Sequence, residues 1–142
     1  MTIAHLIEGR GGAVFSCTAD MTVREAAAML AEKRIGALPV LAGSKVTGIF
    51  SERDVIYRLN SDGPGILDKT VGEVMTAPAV TVTPDTDAIA ALALMTRRRI
   101  RHLPVIRDNT MIGFVSIGDL VKFRIDRIEA EAAAMRDYIQ MA

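Results

Sequence analysis

Two serine–aspartate pairs are the residues of this sequence best suited to chemistry. Ser51 is followed three residues later by Asp54, and Ser116 is followed in the same way by Asp119. Each pair comes after an apolar segment, which predicts a strand that runs into a helix. At such a junction the unpaired backbone N–H groups and the positive end of the helix dipole favour an anion such as phosphate. The aspartate can then accept hydrogen bonds from the two vicinal hydroxyls of a ribose.

The same pairs have a simpler interpretation as helix N-caps. A serine with an acidic residue three positions later is a variant of the capping box, which needs no ligand. Gly48 and Gly113, three residues before the serines, favour the binding interpretation, because a close ligand would require a missing side chain there. We therefore predict that both pairs bind a nucleotide, with capping alone as the alternative.

Other reactive side chains are sparse. Cys17 is the only cysteine, which excludes an internal disulfide, and its apolar segment predicts a buried thiol rather than a redox sensor. The two histidines, His5 and His102, lie far apart, so no metal-ligand cluster is visible. His102 has no paired nucleophile. We expect no enzymatic activity.

Composition narrows the class of protein. Half of the 142 residues are hydrophobic, which excludes intrinsic disorder, and 17 basic residues balance 17 acidic ones. This balance argues against a partner that is recognised by overall charge, so we expect neither nucleic acid nor a membrane surface. His5 and Glu8 interrupt the stretch where a signal peptide would need an apolar core. A cytoplasmic location is expected.

The chain contains an internal repeat. A shift of 65 residues aligns positions 14–55 with 79–120 without a gap, and 12 positions are identical. Each copy predicts a helix capped by Thr22 or Asp87, then a hairpin whose first strand carries Leu-Pro-Val, then a second helix. Neither copy alone is long enough to cover its own apolar face.

The last part of the chain has a different pattern. Apolar residues recur there at alternating steps of four and three, which is typical of a coiled-coil seam. A helix from Gly118 to Ala142 would be about 36 Å long at 1.5 Å per residue. It either folds back on its own core or packs on another subunit, and its length favours the second. The seam residues are Val121, Ile125, Ile128, Ala132, Met135 and Ile139.

Taken together, the motifs resemble the cystathionine-β-synthase (CBS) domain pair. The features are Met75-Thr76-x-Pro78, the two Leu-Pro-Val segments and the duplicated Gly-x-x-Ser-x-x-Asp junction. The resemblance implies an α+β fold of two tandem β-α-β-β-α repeats, related by a pseudo-twofold axis and followed by the long C-terminal helix. We place the repeats at 1–65 and 66–123 and the helical extension at 124–142. Two clefts between the repeats would bind adenosine-containing ligands, with AMP as the first expectation and ADP, ATP, NAD(H) or S-adenosylmethionine as alternatives.

The resemblance also implies that each cleft takes residues from both copies. The first cleft would contain Asp119, Ser116, Gly118, Arg101, Ile35, Gly36 and the segment from Arg10 to Phe15. The second would contain Asp54, Ser51, Arg53, Gly36, Ile100, Arg101 and the segment from Thr76 to Val80. The copies differ at the cleft mouth, since Thr76 offers a hydroxyl where the first copy has Arg10 and glycines, which suit a phosphate instead.

Basic residues cluster before the third predicted strand. The cluster consists of Arg97, Arg98, Arg99, Arg101 and His102. A solvated helix end explains such a cluster, because cations complement the negative end of the helix dipole. For Arg101 and His102 we favour a phosphate-facing role, and a nucleic-acid surface is the weakest interpretation. Arg53, whose counterpart is Gly118, could reach a polyphosphate or lie on the surface.

The sequence thus predicts a non-catalytic regulatory module that senses an adenine nucleotide. Binding across the two copies would change their packing and so alter a dimer surface or the binding of a regulated protein partner. We expect a homodimer or a larger assembly. The alternative is a structural scaffold that holds a partner through the C-terminal helix while its clefts stay unoccupied.

Overall fold

The structure, a computed structural model, describes residues 1–8 and 14–141. It is an α+β fold with two small antiparallel hairpins, each flanked by helices. The helices are α1 (Ile3–Glu8), α2 (Val23–Lys33), α3 (Glu52–Asp62), α4 (Val71–Val74), α5 (Ala88–Arg98) and α6 (Ile117–Met141), with a 3₁₀ helix at Pro64–Asp68. The strands are β1 (Ala37–Ala42), β2 (Lys45–Ser51), β3 (His102–Arg107) and β4 (Thr110–Ser116).

The predicted caps start the first helix of each repeat. The Thr22 hydroxyl accepts a hydrogen bond from the Glu25 N–H at 3.1 Å, and the Asp87 carboxylate accepts from two N–H groups of the first turn of α5. Both helices end at an arginine in the left-handed conformation, Arg34 at φ 53° and Arg99 at φ 54°. This turn directs the chain into the hairpin that follows.

The two hairpins have the same register. β1 pairs with β2 so that Val40 faces Gly48, and β3 pairs with β4 so that Val105 faces Gly113. Each pair has an irregularity directly after that valine. The repeat seen in the sequence is therefore also a repeat of strand register.

The leading strand of each repeat is reduced to a single bridged residue. Cys17 pairs in parallel with β1. Its backbone N–H donates to the Pro39 carbonyl at 3.1 Å, and its carbonyl accepts from the Leu41 N–H at 2.9 Å. Toward Phe15 the ladder cannot continue, because its next bond would need an N–H on Pro39, which proline lacks. Val82 and Pro104 repeat the arrangement in the second copy.

The hydrophobic cores cross the boundary between the copies. One core contains the buried residues of α2, β1 and β2 together with Ile66, Val71 and Val74. The other contains those of α5, β3 and β4 together with Ile3 and Leu6 from the N-terminus. Each hairpin unit is thus completed by a short helix that precedes the other copy in the chain.

Backbone hydrogen bonds define how these short helices correspond. Val71 donates to the Met21 carbonyl in one unit, and Ile3 donates to the Thr86 carbonyl in the other. Met21 and Thr86 are 65 residues apart, whereas Ile3 and Val71 are 68 apart. The first copy therefore has three more residues than the second between its short helix and its bridged strand residue.

Helix α6 ends the fold. It begins one residue before the predicted Gly118 and runs to Met141, and Ala142 lies outside the described residues. Ile117, Leu120 and Phe123 pack on the second core. In the described ranges, 1–8 and 14–141, no helix has the length and apolar character needed to cross a membrane.

Candidate functional site

A cleft of about 160 Å³ lies beside the first residues of α3. Its walls come from both copies and from the segment that joins them. The lining residues are Gly36, Ala37, Ile49, Ser51, Glu52, Arg53, Asp54, Thr76, Pro78, Ala79, Val80, Ile100, Arg101 and His102. The structure therefore places together every residue that was predicted individually for the Asp54 cleft.

Asp54 is held by two neighbours. Its Oδ2 accepts from the Ser51 N–H at 2.9 Å, while the Ser51 hydroxyl oxygen accepts from the Asp54 N–H at 3.2 Å. This reciprocal pair is a capping box, so the capping interpretation is correct for the local structure. The other oxygen, Oδ1, accepts from the Thr76 hydroxyl at 3.0 Å. The aspartate thus caps α3 while it also lines the cleft.

The space beside Gly48 is occupied by the protein's own chain, so the prediction that a ligand approaches there was wrong. Ile49 and Thr76 form two backbone hydrogen bonds of 2.9 Å, which lay the linker segment along β2. A Cβ at position 48 would be 2.8 Å from the Thr76 carbonyl oxygen and 2.7 Å from the sulfur of Met75. Gly48 therefore lets this segment close one side of the cleft.

The same prediction for Gly113 was wrong for the same reason. A Cβ at this position would lie 2.9 Å from Cδ1 of Ile7 on α1. Ile7 and Met75 thus fill corresponding places in the two units. Neither glycine makes room for a ligand.

The charges in the cleft balance. The Arg53 guanidinium donates to the Arg99 carbonyl at 2.8 Å, which ties α3 to the left-handed residue that ends α5. Arg101 lies 4.0 Å from the Glu52 carboxylate, and both side chains are more than half exposed. Two arginines therefore face Glu52 and Asp54 around one opening, an arrangement that suits a ligand of low net charge.

His102 lies in the cleft wall and also stacks on Phe114, with ring centroids 5.5 Å apart. Burial lowers the pKa of His102, and the Arg101 charge acts in the same direction. The charges of Asp119 and Glu52 oppose this shift in pKa. The imidazole is therefore biased toward its neutral form, which leaves it as a hydrogen-bonding and stacking group.

Three residues of this cleft, Ala37, Ile49 and Glu52, were not predicted from the sequence. Ala37 is the counterpart of His102 in the repeat, and that correspondence could have identified it. Glu52 follows the N-cap Ser51 directly and so belongs to the first turn of α3. The helical geometry of that turn is the signal that could have placed Glu52 in the cleft.

The predicted residues around Asp119 do not all line the Asp54 cleft. Ser116 and Asp119 form the same reciprocal hydrogen bonds as the first pair, at 2.7 and 3.1 Å. Phe15 lies under the ammonium group of Lys33, 4.9 Å from the ring centroid. Gly36 and Arg101 belong to the Asp54 cleft, whereas Phe15, Ile35, Ser116, Gly118 and Asp119 do not line it, and Arg10 lies outside the described residues.

The basic cluster separates into two parts. Arg97 and Arg98 lie in the exposed last turn of α5, as a solvated helix end requires, while Arg101 and His102 line the cleft. Cys17 is buried, and burial raises the pKa of its thiol to about 11. Within the described part of the chain no group of three or more metal-ligating side chains is assembled.

Known proteins share both the sequence and the fold. The model of the CBS domain matches residues 13–61 and 71–126. The mitochondrial CBS domain-containing protein CBSX3 of Arabidopsis thaliana is 36% identical, over 98% of this chain and 72% of its own length. The CBS domain structure NE2398 is 38% identical with a TM-score of 0.81, covering 88% of this chain and 98% of that one. The CBS-domain protein ATU1752 of Agrobacterium tumefaciens is 32% identical with a TM-score of 0.82, covering 87% and 99%. This chain, with two CBS motifs that complete each other's cores, belongs to the CBS-domain family.

Proposed function

We propose that this protein is a non-catalytic regulatory module that binds an adenosine-containing ligand in the Asp54 cleft. The observation that carries the proposal is the cleft itself, where a carboxylate with a hydroxyl neighbour and two arginines come from both copies and their linker. A carboxylate suits ribose hydroxyls and guanidinium groups suit a phosphate. A ligand that touches both copies would stabilise one arrangement of them, which is what a sensor needs.

Two more distant structures support the ligand class. The CBSX2 protein, 23% identical with a TM-score of 0.74, was solved in complex with AMP. The CBS pair of MJ0100, 21% identical with a TM-score of 0.77, was solved with 5-methylthioadenosine and S-adenosylmethionine. Both share the fold with this chain, and adenosine is common to their ligands.

The balance of charge in the cleft favours ligands with few phosphates. Glu52 lies on the lining beside Arg101 and would repel each additional phosphate group. We therefore place AMP first, with ADP, ATP, NAD(H) and S-adenosylmethionine as the alternatives. A single cysteine, Cys17, with no second one to form an internal disulfide, suits a reducing compartment, and we propose the cytoplasm.

Isothermal titration calorimetry with these five compounds tests the proposal. The matched variants are Asp54→Asn and Asp119→Asn, because each removes the charge from an equivalent capping box. We expect Asp54→Asn to lose a binding site that Asp119→Asn retains, with AMP affinity weakened by about tenfold or more since a charge-assisted hydrogen bond is lost. Equal loss in both variants, or no heat with any compound at millimolar concentration, contradicts the proposal.

A structural scaffold with unoccupied clefts is the second candidate. The exposed apolar face of α6 favours it, because this face needs no nucleotide to bind a partner. Removing residues 124–142 separates the two functions. A sensor keeps its nucleotide binding after this deletion. A scaffold loses the binding of its protein partner, and that binding does not depend on nucleotide in the full chain either.

A further inference from the structure

Helix α6 presents an apolar face that its own chain does not cover. This seam consists of Val121, Ile125, Ile128, Ala132, Met135 and Ile139, the coiled-coil spacing described above. All six residues are exposed, and the five larger ones range from 42% at Val121 to 63% at Ile139. Exposure of this extent along one face of a helix indicates a surface that binds a partner.

The distal part of α6 also needs a partner for its stability. Phe123 is the last residue of α6 in the core cluster, and the helix continues to Met141, about 27 Å farther at 1.5 Å per residue. A helical segment of this length that packs on nothing is marginal in water. A second apolar helix along the seam would supply the missing packing.

We propose that the seam pairs with the same seam of a second copy of this chain, as a parallel, in-register two-stranded coiled coil. The choice of occupant rests on the charges that flank the seam. Coiled-coil partners interact through the e and g positions of the heptad. With Ile125, Ala132 and Ile139 at a, the e positions hold Lys122, Glu129 and Arg136, and the g positions hold Arg124, Glu131 and Tyr138.

In the parallel arrangement each g residue faces the e residue five positions later in the partner helix. Arg124 then faces Glu129 of the second copy, and Glu131 faces Arg136. Twofold symmetry repeats both pairs, so every charged g residue has an opposite charge beside it. Glu131 also pairs with Arg127 of its own helix at 3.4 Å, and a carboxylate can accept from both guanidinium groups.

The antiparallel arrangement that overlaps the same seam brings like charges together. With Ile125 opposite Met135, each Glu131 faces the Glu131 of the other copy, each Glu129 likewise faces Glu129, and Lys122 faces Arg136. Like charges at these positions oppose pairing. Among arrangements that cover all six seam residues, the charge pattern therefore selects the parallel orientation, in which the two CBS pairs lie at the same end of the coil.

Sedimentation equilibrium on the full chain tests the proposal through the variant Arg136→Glu. In the parallel coil this change sets the introduced carboxylate against Glu131 of the other copy at two symmetric places, and we expect the dimer to weaken by about tenfold. The double variant E131R/R136E restores opposite charges across the coil and should recover most of the lost dimer affinity, although it removes the pair of Glu131 with Arg127 of its own helix. Lys45→Glu, the same change of charge on an exposed hairpin, is the control.

The antiparallel coil predicts the reverse, since the carboxylate introduced by Arg136→Glu would then attract Lys122 and strengthen the dimer. A stronger dimer in this variant therefore overturns the proposal. So does a wild-type chain that is monomeric at tens of micromolar, or a double variant that dimerises no more tightly than Arg136→Glu alone. Circular dichroism on each variant shows whether the fold is intact.

Disulfide trapping gives a second, independent readout of orientation. Met135→Cys places a thiol at the seam, where a parallel in-register partner brings the same residue opposite, while Cys17 is buried and unreactive. We expect rapid dimer formation under mild oxidation, and slow formation for Asp137→Cys, which lies on the outer face. Cross-linking only in a mixture of Ile125→Cys and Met135→Cys indicates an antiparallel coil and contradicts the proposal.

Discussion

Asp54 uses its two carboxylate oxygens for different purposes, and this explains how one residue can both cap a helix and line a cleft. Oδ2 accepts from Ser51, while Oδ1 accepts from Thr76 in the linker. The cap fixes the carboxylate in place before any ligand arrives, so little side-chain entropy remains to be lost on binding. Capping and binding, which the sequence presents as alternatives, are therefore compatible in this geometry.

The Ser51 cap makes a prediction about stability. Replacing Ser51 with Ala removes the oxygen that accepts from the Asp54 N–H, and we expect the free energy of unfolding to fall by about 1 kcal/mol. Urea denaturation followed by circular dichroism measures this. Ser61→Ala at the exposed end of α3 is the control and should change stability by less than about 0.5 kcal/mol.

Glu52 makes a prediction about ligand choice. Replacing it with Gln removes the negative charge beside Arg101, so we expect the affinity for ATP to rise more than the affinity for AMP. Titration of both nucleotides into the wild type and the variant gives the ratio. An unchanged ratio means that Glu52 does not influence how many phosphates the cleft accepts.

Cys17 makes a prediction about pH. Its thiol has a pKa of about 11 in the folded chain against an ordinary value of 9.0, so the unfolded state releases its proton first as pH rises. The stability that the protonated thiol contributes is then complete below pH 9.0 and is lost between pH 9.0 and about 11. Denaturation of the wild type and Cys17→Ala across this range measures the effect, and parallel curves for the two proteins would contradict it.

At the scale of elements, the repeat made much of the fold predictable. The capped helices, the Leu-Pro-Val strands and the serine-capped helices all follow from local patterns that recur 65 residues apart. The extent of the leading strand did not follow, because it depends on Pro39 and Pro104 in a neighbouring strand. The correspondence of α1 with α4 did not follow either, since only their hydrogen bonds to the rest of the fold reveal a spacing of 68.

The two glycines make a paired prediction about packing. In Gly48→Ala the new Cβ meets the backbone carbonyl of Thr76, which cannot move without breaking the bridge to Ile49. In Gly113→Ala it meets the end of the Ile7 side chain, which can rotate. We expect a loss of about 1–3 kcal/mol for the first variant and less for the second. Thermal or urea denaturation compares them, and an equal loss would contradict the packing described.

At the scale of the whole molecule, the two units depend on each other. Each hydrophobic core includes a short helix that precedes the other copy in the chain, so neither repeat cut from the sequence would retain a complete core. The Asp54 cleft lies where the copies meet and takes Ile100, Arg101 and His102 from the second. A ligand there would act on the arrangement of both units.

The residues that line the Asp54 cleft were only partly predictable from the sequence. Ser51 and Asp54 follow from helix capping, but the contributions of Thr76, Val80 and Arg101 came from the family resemblance, because no local pattern shows which distant segments meet. Gly48 and Gly113 favoured binding over capping alone for a reason that the packing of Met75 and Ile7 contradicts. The polar groups around the cleft are the features that support ligand binding there.

A crystal structure of the protein grown with AMP would show whether the Asp54 cleft binds adenosine compounds. We expect the ribose hydroxyls within hydrogen-bonding distance of Asp54, with the phosphate toward Arg53 or Arg101. Well-ordered AMP bound elsewhere, or a cleft that remains without nucleotide at millimolar AMP, would contradict a ligand site at Asp54.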